Sequence, residues 1–269
     1  MAPIAAVLAV GAGGADRSVL VLGPLVTYAL PLVAMVAFWW EDWPGTRLRA
    51  SWAGWADTAL IAAGAVVLTG IGQIVVGDLD LRGMFDPSPG PGHVPTFPAT
   101  MPLAAAAFVA MLQLTLVGEG WPLRRVPRPA AGLSALAISW TVALVAYAAL
   151  AGVRHELGAV LVLIGAWQVL FYVAFRGVPF SKIETRALRL TSAHVVIVAG
   201  GILTFVVAHD VLSVRPAPLT AAAACSVAGA EVMRFTRASA DEWVAHVALN
   251  AIGVSVILHV AIGRRWPFG

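Results

Sequence analysis

Four histidines lie inside apolar runs, where an ionisable side chain is costly enough to be a functional candidate by default. His194 and His209 bracket "VVIVAGGILTFVVA", and His246 and His259 bracket "VALNAIGVSVIL". At 1.5 Å of rise per residue, each pair is separated by roughly 20 Å along a straight helix. One metal ion cannot take both ligands from such a pair. The spacing instead suits two stacked sites, one near each membrane face, with one histidine from each helix at each level. His194 then pairs with His246 and His209 with His259 if the helices are parallel, or 194 with 259 and 209 with 246 if they are antiparallel. A bis-imidazole haem is the group that such a two-level site accepts.

A second polar pattern overlaps the first. Glu242, His246 and Asn250 recur at i, i+4 and i+8, so they share one slowly drifting helix face. Such a stripe suits a proton or substrate path, with His246 titrating near neutral pH, and it supports a membrane transporter as the alternative function. The remaining intramembrane polar residues have plainer explanations. Asp57 stands near Trp52 and Trp55 at a helix start, and Glu231 lies three residues before Arg234. Gln73, Gln113 and Gln168 suit hydrogen bonds between helices.

The histidine spacing resembles that of di-haem membrane b cytochromes of the ferric reductase and NADPH oxidase type. Those proteins carry His-x13-His on one helix and His-x12-His or His-x13-His on another. This chain has His194-x14-His209 and His246-x12-His259, with the small residues Gly200, Gly201 and Gly253 between the pairs, where a flat macrocycle could approach the backbone. The resemblance implies haem b on His194, His209, His246 and His259, with Arg189, Arg264 and Arg265 near the propionates. It also implies electron transfer across the bilayer as a membrane oxidoreductase subunit. Since no flavin or nicotinamide domain follows, the electrons would come from a quinone or another membrane subunit.

A fainter pattern resembles the membrane subunits of copper membrane monooxygenases, which oxidise methane or ammonia. "DEWVAH" supplies Glu242 and His246, His259 follows sixteen residues after Trp243, and His93 is followed by Phe97 and Pro102. That resemblance implies copper at His246, His259, Glu242 and His93. A non-catalytic membrane subunit is the third alternative.

The elements that must position these residues follow from composition. Of 269 residues, 60% are hydrophobic and 12% charged, against about a quarter charged in soluble domains, so the chain has a membrane composition. The expected architecture is all-α: one transmembrane domain over residues 1–269, a polytopic bundle of seven or eight helices in the lipid bilayer. Seven apolar segments are long enough to cross, at 18–40, 52–76, 101–118, 131–152, 157–175, 189–212 and 243–262. Residues 218–233 form a shorter eighth candidate, either a span or a re-entrant helix. The net charge of +3 lies in short loops, where topology explains it without nucleic acid as a partner.

Arg47/Arg49, Arg124/Arg125/Arg128 and Arg176/Lys182/Arg186/Arg189 alternate with loops carrying Asp78, Asp80, Asp86 and Glu156. The positive-inside rule makes the basic loops cytoplasmic and the N-terminus external. The Pro-rich stretch 77–100 is then an external loop. The N-terminal residues carry no basic n-region, which argues against a cleaved signal peptide. The single cysteine, Cys225, excludes an internal disulfide, a CxxC pair and covalent haem attachment. One lysine against sixteen arginines suggests a high-GC bacterial source and hence the cytoplasmic membrane.

A weak repeat marks the ends of four apolar runs: "EDWPGTR", "GEGWPLRR", "FRGVPFSK" and "GRRWPFG". Each places Trp or Val, then Pro, beside basic residues. This reads as an interfacial exit, with the aromatic at the headgroups and the proline stopping the helix.

Overall fold

A computed structural model describes residues 15–41, 43–77, 81, 91, 99–150 and 154–211. Among these residues every regular element is helical. The spans expected at 218–233 and 243–262 lie outside them, as do His93, Glu231, Glu242, His246, Asn250, Gly253 and His259, and almost all of the loop 77–100.

Six long helices alternate with connectors. Helix α1 is Ala15–Ala34, continued by a π turn over Met35–Trp39; α2 is Ala50–Val76; α3 is Met101–Leu112, continued by a π turn over Gln113–Val117. Helix α4 is Arg128–Ala149; α5 is Arg154–Val169 with a π turn over Leu170–Ala174; α6 is Arg186–Val206 with a π turn over Val207–Val211. These six correspond to the first six apolar segments. Among the described residues, three helices are long and apolar enough to cross a membrane: Gly54–Val76, Arg128–Ala149 and Arg186–Val211. Shorter apolar helices cover Pro24–Trp39, Met101–Val117 and Glu156–Tyr172.

The chain divides into two compact units, one over Ala12–His155 and the other over Met1–Gly11 with Glu156–Gly269. In the first, α3 is the centre. Its residues Met101 to Phe108, with Met111 and Leu112, are all buried, and its most extensive packing is against α4. A helix apolar on every side belongs in an interior. Helix α1 packs on both α2 and α3. The outward faces of α2 and α4 are apolar too: Val67 is 60% exposed and Val145 65%. Apolar surface turned outward in this way suits contact with lipid tails. In the second unit α6 buries only the narrow stripe Ala193, Ile197, Gly201 and Ala208.

The helix ends are where the sequence repeat acquires a structure. After α1, α3 and α5 the chain performs the same sequence of backbone moves. Each π turn closes with a bond five residues back: Trp40 N–H to Met35 O at 3.1 Å, Gly118 N–H to Gln113 O at 2.7 Å, and Phe175 N–H to Leu170 O at 3.0 Å. The next residue enters the left-handed region, at φ 49° for Glu41, 54° for Glu119 and 51° for Arg176. Two residues later comes a cis peptide to proline, Trp43-Pro44, Trp121-Pro122 and Val178-Pro179. A single 3₁₀ turn follows, over Gly45–Arg47, Leu123–Arg125 and Phe180–Lys182, and its first residue is buried in all three. The next helix then starts.

This corrects one expectation. The proline does not stop the helix; the π turn and the left-handed residue have already ended it. The left-handed turn reverses the chain and lets later N–H groups reach the orphan carbonyls. Gly120 N–H bonds to Leu114 O at 2.9 Å and Gly177 N–H to Phe171 O at 2.8 Å. The fourth copy, 263–269, lies outside the described residues.

Candidate functional site

Helix α6 carries the two described histidines of the spacing pattern. Residues 194 and 209 fall about 60° apart around an ideal helix, on the flank of the stripe that α6 buries. His194 is exposed and His209 half-buried. Each ring is oriented by the residue four positions before it. His194 Nδ1 lies 2.7 Å from the carbonyl oxygen of Leu190. A carbonyl only accepts, so Nδ1 is the donor in this contact. The His209 ring stacks on Phe205, with centroids 5.3 Å apart and planes 20° from parallel. Metal-ligating imidazoles are commonly fixed as His194 is, by a backbone carbonyl on the nitrogen that does not ligate. The surface between the two rings is Val195, Val198, Ile202 and Phe205, an apolar wall suited to a macrocycle edge.

One expectation about this helix needs correction. Gly200 and Gly201 do not lie open to a flat ligand. A Cβ on Gly200 would meet the Trp167 indole at 2.7 Å, and one on Gly201 would meet Ile164 side-chain and backbone atoms at 2.6 and 3.0 Å. The glycines let α5 approach α6, and the flat group over them is an indole. Trp167 Nε1 donates to Thr204 Oγ1 at 3.1 Å, and that hydroxyl donates to Gly200 O at 2.7 Å. Arg189, expected near a propionate, donates from Nη1 to the Ile183 carbonyl at 3.2 Å and steadies the start of α6.

Among the described residues no group of three His, Cys, Asp or Glu side chains converges as a metal site. All four copper candidates, His93, Glu242, His246 and His259, lie outside those residues, as does the stripe Glu242, His246 and Asn250. Asp57 has a structural role, because its Oδ1 accepts the Gly45 N–H at 3.1 Å and so ties α2 to the first connector. Gln73 and Gln168 are fully buried.

Sequence reasoning missed a buried polar cluster in the first unit. Tyr28 on α1 is completely buried, stacks on Trp140 of α4 at 5.6 Å, and points its hydroxyl at the Thr100 carbonyl 3.5 Å away. Thr69 and Gln73 of α2 are buried as well, and the Tyr28 hydroxyl occupies the space above Gly72. The signal available was Gly72 beside Gln73 in an apolar helix. Its partner Tyr28, far away in sequence, gives no spacing cue. These groups lock α1, α2 and α4 together.

No protein-family model, curated protein or solved structure matches this chain.

Proposed function

We propose that the chain is a multi-pass protein of the cytoplasmic membrane, with seven or eight spans, that binds b-type haem and carries electrons across the bilayer. Its ligands are His194 and His209 on α6, completed by His246 and His259 on the segment 243–262. The observation that carries this reading is the bond between His194 Nδ1 and Leu190 O. A backbone carbonyl on Nδ1 is how metal-ligating imidazoles are commonly held, with the other ring nitrogen as the one that ligates. Phe205 holds the His209 ring from the same relative position, four residues before it.

Haem supplies one-electron redox chemistry at each level. The protein's own part is orientation and exclusion of water. Leu190 and Phe205 hold the imidazoles, and the apolar wall between them keeps the level between the two sites dry. A donor such as a quinone, or a partner subunit, delivers the electrons. Absorption spectroscopy tests the reading. Protein purified from haem-replete cells is expected to show a Soret band and, in the reduced-minus-oxidised spectrum, an α band. A protein without either band overturns it, and metal analysis of the same sample then reports whether copper is present instead.

A further inference from the structure

The end of the first unit where connectors meet holds a pocket that the histidine helix does not involve. It has a volume of about 240 Å³ and lies between the first connector and the start of α4. Its back wall is rigid. The Trp40 indole is 8% exposed, donates from Nε1 to the Pro129 carbonyl at 3.1 Å, and fills the notch left by Gly132. Trp43 meets it edge-on, with centroids 5.2 Å apart and planes at 87°.

The mouth of the pocket is charged. Arg128 Nη1 pairs with Glu41 Oε2 at 2.9 Å, yet both side chains are more than half exposed, 67% and 59%. Arg47 also lines the pocket, and among the described residues its guanidinium meets only the Trp43 ring, 5.8 Å from the centroid. Thr46 adds a hydroxyl. Among the described residues of the lining, two arginines stand with one glutamate. Arg124, which aligns with Thr46 in the second connector, is paired within its own turn, to Glu119 Oε2 at 2.9 Å.

A second surface feature begins at the next residue of the chain, Leu48. Leu48, Arg49, Trp52 and Trp55 line an open apolar groove at the start of α2, with Trp52 65% and Trp55 70% exposed. Exposed tryptophans at a helix end mark the headgroup level of a bilayer. Two guanidinium groups and a hydroxyl gathered in one pocket are donors that fit a phosphate ester. A soluble phosphate ester and a phospholipid share that chemistry, and the adjoining groove offers a place only for the acyl part of a lipid.

We propose that this pocket binds the phosphodiester of an anionic phospholipid headgroup, held by Arg47, Arg128 and Thr46, with the acyl chains along Trp52 and Trp55. Glu41 competes with the phosphate for Arg128, so the ion pair opens when lipid binds. This proposal is independent of haem.

The test is native mass spectrometry of the whole protein, purified in detergent and offered phosphatidylglycerol or phosphatidylcholine. Wild-type protein is expected to retain one phosphatidylglycerol in preference to phosphatidylcholine. Arg47→Gln combined with Arg128→Gln should weaken that retention by about tenfold or more, because two charge-assisted contacts are lost. Glu41→Gln should tighten it, and Arg124→Gln should leave it unchanged. Circular dichroism and the unfolding temperature establish that each variant is folded. If the double variant fails to fold, Arg47→Lys is used, which keeps the charge, loses the planar fork and should weaken retention alone. Unchanged retention in the folded arginine variants overturns the proposal, as does weaker retention in Glu41→Gln. Displacement of the lipid by millimolar inorganic phosphate would assign the site to a soluble ester instead.

Discussion

Trp40, the last residue before the first left-handed turn, donates its indole N–H to the carbonyl of Pro129, 3.1 Å away at the start of α4. The contact joins the end of α1 to the start of α4, and a neighbouring bond joins the π turns after α1 and α3: Trp39 Nε1 donates to Thr115 Oγ1 at 2.8 Å. The cytoplasmic ends expected for α1 and α3 therefore lie side by side. The indole of Trp40 fits because residue 132 is glycine; a Cβ there would overlap Nε1 and stand 2.6 Å from Cδ1. The ring is pinned by its hydrogen bond and cannot swing away. Gly132→Ala is expected to destabilise the first unit by about 1–3 kcal/mol, the usual cost of overpacking. Thermal unfolding in detergent measures it, and an unchanged midpoint would contradict this packing.

The pair Tyr28 and Gly72 makes a second, separable prediction. A Cβ on Gly72 would overlap the Tyr28 hydroxyl and lie 2.5 Å from Cζ. Tyr28 is wedged against Trp140, so Gly72→Ala should be strongly destabilising. Tyr28→Phe in the same chain removes the nearest atom but not Cζ, so it should rescue only part of the loss, giving a non-additive double-mutant cycle. Gly64→Ala is the contrast. Its Cβ would meet Leu32 Cδ1 at 2.7 Å, the end of a flexible side chain that can turn aside. The difference in unfolding temperature between the two alanine variants is the readout.

Left-handed backbone at a non-glycine residue gives the third prediction. Arg176 sits at φ 51° and is exposed, and L residues pay about 1–2 kcal/mol in this region. Arg176→Gly is expected to leave stability unchanged or raise it. Gly177→Ala places a side chain at φ 80° and should lower stability although space is available, the nearest atom being 3.7 Å away. A loss at residue 177 without one at residue 176, read by thermal unfolding, would show that conformation and not contact decides.

The contact between Trp167 and Thr204 supplies a fourth. Thr204→Val keeps the shape but removes the acceptor for the indole N–H, leaving a donor without its partner at the α5–α6 contact. A loss of about 1–3 kcal/mol is expected. Trp167→Phe in the Thr204→Val background should then cost less than Trp167→Phe alone, and additive losses would contradict the bond.

Much of the helix layout was legible in the sequence because it depends on length and apolarity. The expected segment 52–76 became Ala50–Val76, and 101–118 became Met101–Val117 with its π turn. The connector repeat was legible as a spacing of Trp or Val, Pro and basic residues. Its backbone was not, because Glu41, Glu119 and Arg176 are residues that rarely take positive φ and carry no local signal for it. The roles of Gly200 and Gly201 were misread for a related reason: two glycines in a helix announce a close approach but not by what. Only tertiary packing shows that Trp167 and Ile164 are the groups that approach. The orientation of His194 by Leu190 likewise depends on a rotamer, which sequence does not carry.

Haem stoichiometry in histidine variants tests the central claim most directly. With two levels, each served by one histidine of α6, His194→Ala and His209→Ala are each expected to halve the haem bound per protein, and the double variant to remove it. Equal haem content in wild type and both folded variants, or no haem in the wild type, would contradict the account.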